Sequence, residues 1–193
     1  MGIELAAIGT SLGGLRALTA LLGGLPAAFP VPIVVVQHRA AEADGGAGLA
    51  ELLQEQTMLT VVEAEDKMTL EPGWVYLAPA DYHLLVEQRG VLALSTDRPI
   101  KSARPSIDAL FQSAADAYGA GVVGVLLTGA SADGADGLAA IKAAGGLALV
   151  EDPRSAESST MPAAGIAAAA VDYVLPISRM ANHLISMVEG SRT

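Results

Sequence analysis

Cysteine is absent from the 193 residues. That excludes a disulfide framework, thiol catalysis and cysteine-ligated metal sites, and it fits a reducing, cytoplasmic setting. Histidine is scarce, with 3 residues in the chain. No two of them stand at metal-ligand spacing, so no metal site is expected and no cofactor is implied. Aromatic residues make up 4% of the sequence, which leaves the core to Ala, Val, Leu and Ile. Positive charge is in deficit. Against 21 Asp and Glu stand 11 Lys and Arg, for a net charge of −10 and an isoelectric point near 4.6. Neither nucleic acid nor an anionic membrane attracts such a surface.

Targeting signals are also missing. Glu4 stands near the start and no basic residue precedes Arg16, which does not fit a secretory signal. Ala6 occupies the position where N-myristoylation wants Ser or Thr. An uncharged run over residues 17–37 is interrupted by Gly23, Gly24, Pro26, Pro30 and Pro32. It reads as a helix end, a loop and a strand, so no membrane insertion is expected.

What is present is apolar and regularly punctuated. Hydrophobic residues make up 52% of the chain and the mean hydropathy is +0.46, which argues against disorder. The length suits one domain, residues 1–193. Strands are expected at 4–9, 32–37, 60–64, 122–127, 147–150 and 173–175. Helices are expected at 14–23, 47–56, 105–118, 133–144 and 162–169, with Pro162 in the first turn of the last of these. Ser178 reads as the cap of a final helix to about residue 188. Three closely spaced apolar runs, at 73–79, 83–86 and 91–94, read as antiparallel hairpin structure. Alternating strands and helices imply a doubly wound α/β sheet with helices on both faces. Its ligand crevice lies at the carboxyl ends of the strands.

Three loops at such ends carry chemistry. Gly9-Thr10-Ser11-Leu12-Gly13 follows a strand and opens a helix. This is Gly-x-Ser-x-Gly in the strand–turn–helix context of a nucleophile elbow. The flanking glycines permit the sharp turn, and the backbone N–H groups beyond Ser11 can face a developing oxyanion. His38 directly follows the apolar strand Ile33-Val34-Val35-Val36, and Asp133 lies in a Gly-rich loop between a buried strand and a helix. Alone, His38 is a polar loop residue and Asp133 a helix N-cap. Together with Ser11 they supply a nucleophile, a base and an orienting acid. Among the other candidates, His83 lies in hairpin-like sequence at the border of this edge, and His183 falls on the last helix. Arg98, Lys101 and Arg104 form the one basic cluster, read as a solvated loop or as a substrate-docking strip.

The whole chain resembles the catalytic domain of chemotaxis protein-glutamate methylesterases, the CheB family. The resemblance is carried by Ala7-Ile8-Gly9-Thr10-Ser11-Leu12-Gly13-Gly14, Val36-Gln37-His38, Ala64-Glu65-Asp66, Pro72-Gly73 with Tyr76-Leu77-Ala78-Pro79, and Arg104-Pro105-Ser106-Ile107-Asp108-Ala109-Leu110-Phe111. Further on it includes Leu127-Thr128-Gly129 with Asp133-Gly134, and Ser159-Thr160-Met161-Pro162. It implies a three-layer α/β/α fold with a mainly parallel sheet and an added antiparallel β-hairpin. It also implies hydrolysis of γ-glutamyl methyl esters on the cytoplasmic domain of methylated chemoreceptors, with glutamine deamidation as a further activity and no cofactor. Ser11 would be nucleophile, His38 general base and Asp133 orienting acid, with the Leu12 and Ala130 backbone N–H groups as oxyanion donors. Leu12 departs from the Thr usual after the serine, and Ala130-Ser131 from the usual Met-Gly. Ser11 also comes too early for the N-terminal receiver domain of the best-known members, so control would fall to a separate regulatory protein or to a longer chain.

Three other readings compete. An SGNH-type serine esterase wants Asp-x-x-His near the C-terminus, and Met180 stands three before His183. A catalytically weak receptor-binding module would use Ser11 only to enter the helix. Phosphate binding would want the Lys of a P-loop or a full Gly-x-Gly-x-x-Gly, both lacking here.

Overall fold

A strand sandwiched between two helical layers must be apolar on both faces, and the run Leu5–Thr10 is buried at every position. The structure is a computed structural model that describes residues 2–39 and 48–190. In chain order its elements are β1 (Leu5–Thr10), α1 (Gly14–Leu22), β2 (Ile33–Gln37), α2 (Gly48–Gln54), β3 (Thr60–Glu63), β4 (Trp74–Leu77), β5 (His83–Gln88), β6 (Val91–Ser95), α3 (Ile107–Tyr118), β7 (Val122–Leu126), α4 (Ala135–Ala143), β8 (Leu147–Glu151), α5 (Thr160–Ala168), β9 (Tyr173–Leu175) and α6 (Ile177–Gly190). The start of the helix expected at 47–56 lies outside the described residues.

Seven strands form one sheet in the order β3-β4-β2-β1-β7-β8-β9, and β5 and β6 form a separate two-stranded sheet. Every pairing in the large sheet is parallel, and the small one is antiparallel. Side chains alternate between two cores, as the two-residue period of a strand requires. Ala6, Ile8, Ile33, Val35, Val123 and Val125 face α1, α2 and α6. Leu5, Ala7, Val34, Val36, Val122 and Leu126 face α3, α4, α5 and the hairpin. Helix α1 buries Gly14, Ala17, Leu18, Leu21 and Leu22, the spacing of a single apolar stripe.

Two expectations are corrected. Residues 74–77 are not hairpin. They form β4, which inserts in parallel between β2 and β3. Val75, Tyr76 and Leu77 are all buried, so this strand needs cover on both faces, which a half-exposed hairpin does not give. Ser178 does not cap the last helix, which already begins at Ile177. The Pro176 carbonyl accepts the Arg179 N–H at 2.9 Å, so Ser178 falls inside the first turn.

One glycine in β1 sets how close the layers come. A Cβ on Gly9 would lie 2.2 Å from Ile107 Cγ2. Only a residue without a side chain lets the start of α3 rest on the end of β1. That approach brings the N-terminus of α3 to the sheet edge where the candidate residues gather.

Candidate active site

Strand β1 has β2 on one side and β7 on the other. The chain leaves β1 toward β2, and only later returns to lay β7 on the opposite flank. The carboxyl ends of β1, β2 and β7 therefore border the point where the winding reverses, the usual crevice of such sheets. Ser11, His38 and Asp133 follow these three strands.

The elbow is fixed through its backbone. The Ser11 N–H donates to the Thr128 carbonyl at 2.9 Å, and the Ser11 carbonyl accepts from the Gly14 N–H at 2.9 Å and from Gln37 Nε2 at 2.8 Å. Gly13 turns the chain into α1 at φ 81°, a left-handed conformation that costs glycine little. The Ser11 hydroxyl and the Leu12 and Ala130 N–H groups have no hydrogen-bond partner among the described residues. Ser11, Gln37 and His38 line one cleft of about 740 Å³, together with Leu12, Arg16 and Glu157. Ala130 lies on the loop after β7, outside that lining.

The His38 N–H donates to the Thr10 carbonyl at 3.0 Å and so extends the β1–β2 ladder by one residue. Its Nε2 lies 2.7 Å from Asp133 Oδ2. A carboxylate oxygen can only accept, so the Nε2 proton sits between them, and in the neutral imidazole Nδ1 is then the acceptor. Nδ1 has no partner among the described residues.

Asp133 is completely buried. Besides His38, its carboxylate accepts from Ser106 Oγ at 2.9 Å, the Ile107 N–H at 2.7 Å and the Asp108 N–H at 3.1 Å. Burial alone would push this carboxyl up. The hydrogen bonds from His38, Ile107, Asp108 and Ser106 outweigh that and hold it below the usual carboxylate range. Asp133 is thus not the cap of the helix that follows it. Gly134 takes that place, and Asp133 instead closes the first turn of α3. The favour is returned, because Asp108 Oδ1 accepts from the Gly134 and Gly137 N–H groups of α4 at 2.9 and 2.8 Å. Two helices therefore exchange capping carboxylates across the site.

Four residues that build this arrangement, Gln37, Ser106, Asp108 and Thr128, stand in the motifs quoted above but have no role assigned from the sequence. The signal for Ser106 was a Ser directly before a helical run. Thr128 is a junction. Its carbonyl accepts from Ser11 and from Thr10 Oγ1 at 2.8 Å, its hydroxyl donates to the Leu12 carbonyl at 2.9 Å, and its N–H donates to Glu151 Oε2 at 2.9 Å. Glu151 is 2% exposed, and burial pushes its carboxyl up, with the Thr128 N–H opposing. A raised folded pKa makes the carboxyl a growing liability as pH climbs above about 4.3, the value of an unfolded glutamate. Glu151→Gln keeps an acceptor for Thr128 and removes the charge. The variant is expected to gain stability over the wild type as pH rises, read as the difference in unfolding midpoint between pH 4 and pH 8.

The other candidates are held elsewhere. His83 is 2% exposed; its Nε2 lies 3.2 Å from the Arg98 carbonyl and its Nδ1 accepts the Ser106 N–H at 3.2 Å. It supports the α3 entry from behind. The His183 ring packs edge-on against Tyr173, with centroids 4.1 Å apart. Lys101 is held by Asp108 and Asp136, both at 2.8 Å. Arg104 is held by Asp81 at 2.7 Å and by the Thr96 and Asp97 carbonyls. Two members of the basic cluster thus fasten the rim internally. Among the described residues no group of three or more His, Cys, Asp or Glu could hold a metal ion, and no helix is long and apolar enough to cross a membrane.

A profile of the CheB methylesterase family matches residues 6–184. A Leptospira interrogans protein named as a protein-glutamate methylesterase/protein-glutamine glutaminase is 42% identical over 191 residues, covering 99% of this chain and 98% of that protein. The Myxococcus xanthus protein-glutamate methylesterase FrzG is 40% identical over 96% of this chain, but the chain spans 55% of its length. The crystal structure of the Thermotoga maritima CheB methylesterase catalytic domain superposes with a TM-score of 0.90 at 37% identity, covering 97% of this chain and 100% of that one. The protein described here belongs to the CheB methylesterase family.

Proposed function

We propose that this protein is a protein-glutamate methylesterase, which hydrolyses γ-glutamyl methyl esters on the cytoplasmic domain of chemoreceptors and deamidates receptor glutamines by the same route. One observation carries the assignment of roles. His38 gives Nε2 to an ionised, buried Asp133, its Nδ1 has no hydrogen-bond partner among the described residues, and it lines the same cleft as Ser11, whose hydroxyl is likewise without a partner among them.

In this mechanism Ser11 Oγ attacks the ester carbonyl carbon and its proton passes to His38 Nδ1. Asp133 stabilises the resulting imidazolium and fixes its orientation. The oxyanion takes hydrogen bonds from the Leu12 and Ala130 N–H groups. His38 then protonates the departing methoxide, which leaves as methanol. Water attacks the acyl-enzyme with His38 again as base, Ser11 regains its proton, and glutamate is formed. With an amide substrate the same steps release ammonia. The absence of a Ser11–His38 hydrogen bond in the free protein fits a contact that tightens only on substrate binding.

The test is methanol release from a methylated receptor, run beside labelling with a serine-directed phosphonate and mass mapping. Release of methanol with the label on Ser11 is expected. A protein that releases none and takes up no label is a binding module, and the esterase assignment fails.

A further inference from the structure

The oxyanion site creates a difficulty for the reaction it serves. Donors that stabilise a tetrahedral oxyanion also attract the carboxylate product, which would then linger in the cleft. Glu157 stands where it can counter this. A Cβ on Gly13 would lie 2.9 Å from Glu157 Oε2 and 2.8 Å from Glu157 Cβ, so the acidic side chain rests directly on the elbow at the entry to α1. Among the described residues it is the only carboxylate lining the cleft with Ser11 and His38. Its carboxylate makes no ion pair or hydrogen bond among the described residues, so its charge is not neutralised by a neighbour. Arg16, in the first turn of α1, lines the same cleft and supplies the opposite sign there.

We infer that Glu157 is a specificity-determining residue that rejects the glutamate product while admitting the neutral methyl ester or amide, an inference that rests on the methylesterase function proposed above. The physical basis is net charge. During acylation and deacylation the oxyanion forms together with the His38 imidazolium, so the reacting groups gain no net charge. Once the product has ionised and His38 is neutral again, the cleft holds one extra negative charge. A fixed anion beside Gly13 therefore acts against the product far more than against the transition state. Glu157 is exposed, which keeps the effect to that of a solvent-screened charge pair.

The test uses the methylated receptor cytoplasmic fragment as substrate and the unmethylated fragment as competitive inhibitor. In Glu157→Gln the ratio of the product Ki to the substrate KM is expected to fall about two- to fivefold. The difference from wild type should shrink when salt is raised from about 50 mM to about 500 mM. Glu157→Asp should restore the wild-type ratio. As a control, Glu55→Gln should leave it unmoved; this residue follows α2, and the adjacent Gln56 carbonyl lies against Gly23, beyond the end of α1 away from the cleft. An unchanged ratio in Glu157→Gln, or an equal shift in the Glu55 control, overturns the inference and leaves the esterase function standing. A wild-type protein that releases no methanol removes both.

Discussion

Replacing Ser11 by Ala should lower methanol release by about 10⁴-fold or more while changing folding stability by less than about 0.5 kcal/mol. The two halves of this result have separate causes. The Ser11 side chain has no hydrogen-bond partner among the described residues, and everything that fixes the elbow goes through its main chain. Removing the hydroxyl therefore leaves the turn, the Thr128 contact and the Gln37 contact intact. What disappears is the attacking oxygen, and water held by the remaining groups is a poor substitute. Initial-rate methanol assays and thermal unfolding of the same preparation decide the matter. A variant that folds like the wild type and still turns over at the wild-type rate would take the serine out of the chemistry.

Asp133→Asn is expected to strike both activity and stability. The wild-type carboxylate accepts four hydrogen bonds, from His38, Ser106, Ile107 and Asp108. An amide has one acceptor oxygen and one NH₂ group, so it must turn a donor toward donors. If the NH₂ faces His38 it donates to Nε2, the ring proton moves to Nδ1, and the nitrogen that should take the Ser11 proton is blocked. A loss of about 10³- to 10⁴-fold in kcat follows. The mismatch at the start of α3 should cost about 2–3 kcal/mol, since hydrogen bonds to a buried charge are lost. The pH dependence has a definite sign. Because the folded pKa of Asp133 is depressed, its stabilisation is complete above about pH 3.9 and is lost as pH falls through the lower folded value. The stability gap between wild type and Asp133→Asn should therefore be widest near neutrality and close on acidification below about pH 4. Denaturant titrations at several pH values, paired with kcat, provide the measurement. A variant that loses stability but keeps kcat would reduce Asp133 to a helix cap.

The parts legible in the sequence are those with local signatures. All-apolar runs such as Val122–Leu126 announce a strand covered on both faces, and Gly9 to Gly13 around Ser11 announces a strand-to-helix turn. The three site residues could be picked out because each follows an apolar strand, so a parallel sheet puts them on one edge. What could not be read was long-range pairing. Trp74–Leu77 has the same alternation whether it joins a hairpin or a parallel sheet, and only its burial on both faces separates the two. The exchange of caps between Asp108 and Asp133 was equally hidden. Asp133 has the spacing to cap the helix that follows it and Asp108 falls in the first turn of its own helix, and the close approach at Gly9 that lets them cross over is a property of the folded layers. Gln37 and Thr128 were hidden for a similar reason, because their work is done on carbonyls and N–H groups distant in the chain.

The crossed carboxylates and the Thr128 junction have a consequence for how the family can diversify. They secure the main chain of the rim from underneath, through atoms that no side-chain replacement above can disturb. Leu12, Ala130 and Glu157 are exposed on the outer side of that scaffold, whereas Ser131 belongs to it, because its Oγ accepts the Asp133 N–H at 3.2 Å. Selection can retune such exposed positions for a new client protein without rebuilding the machinery beneath, and Leu12 and Ala130 fall where a lineage could change its preferences at little risk to its chemistry.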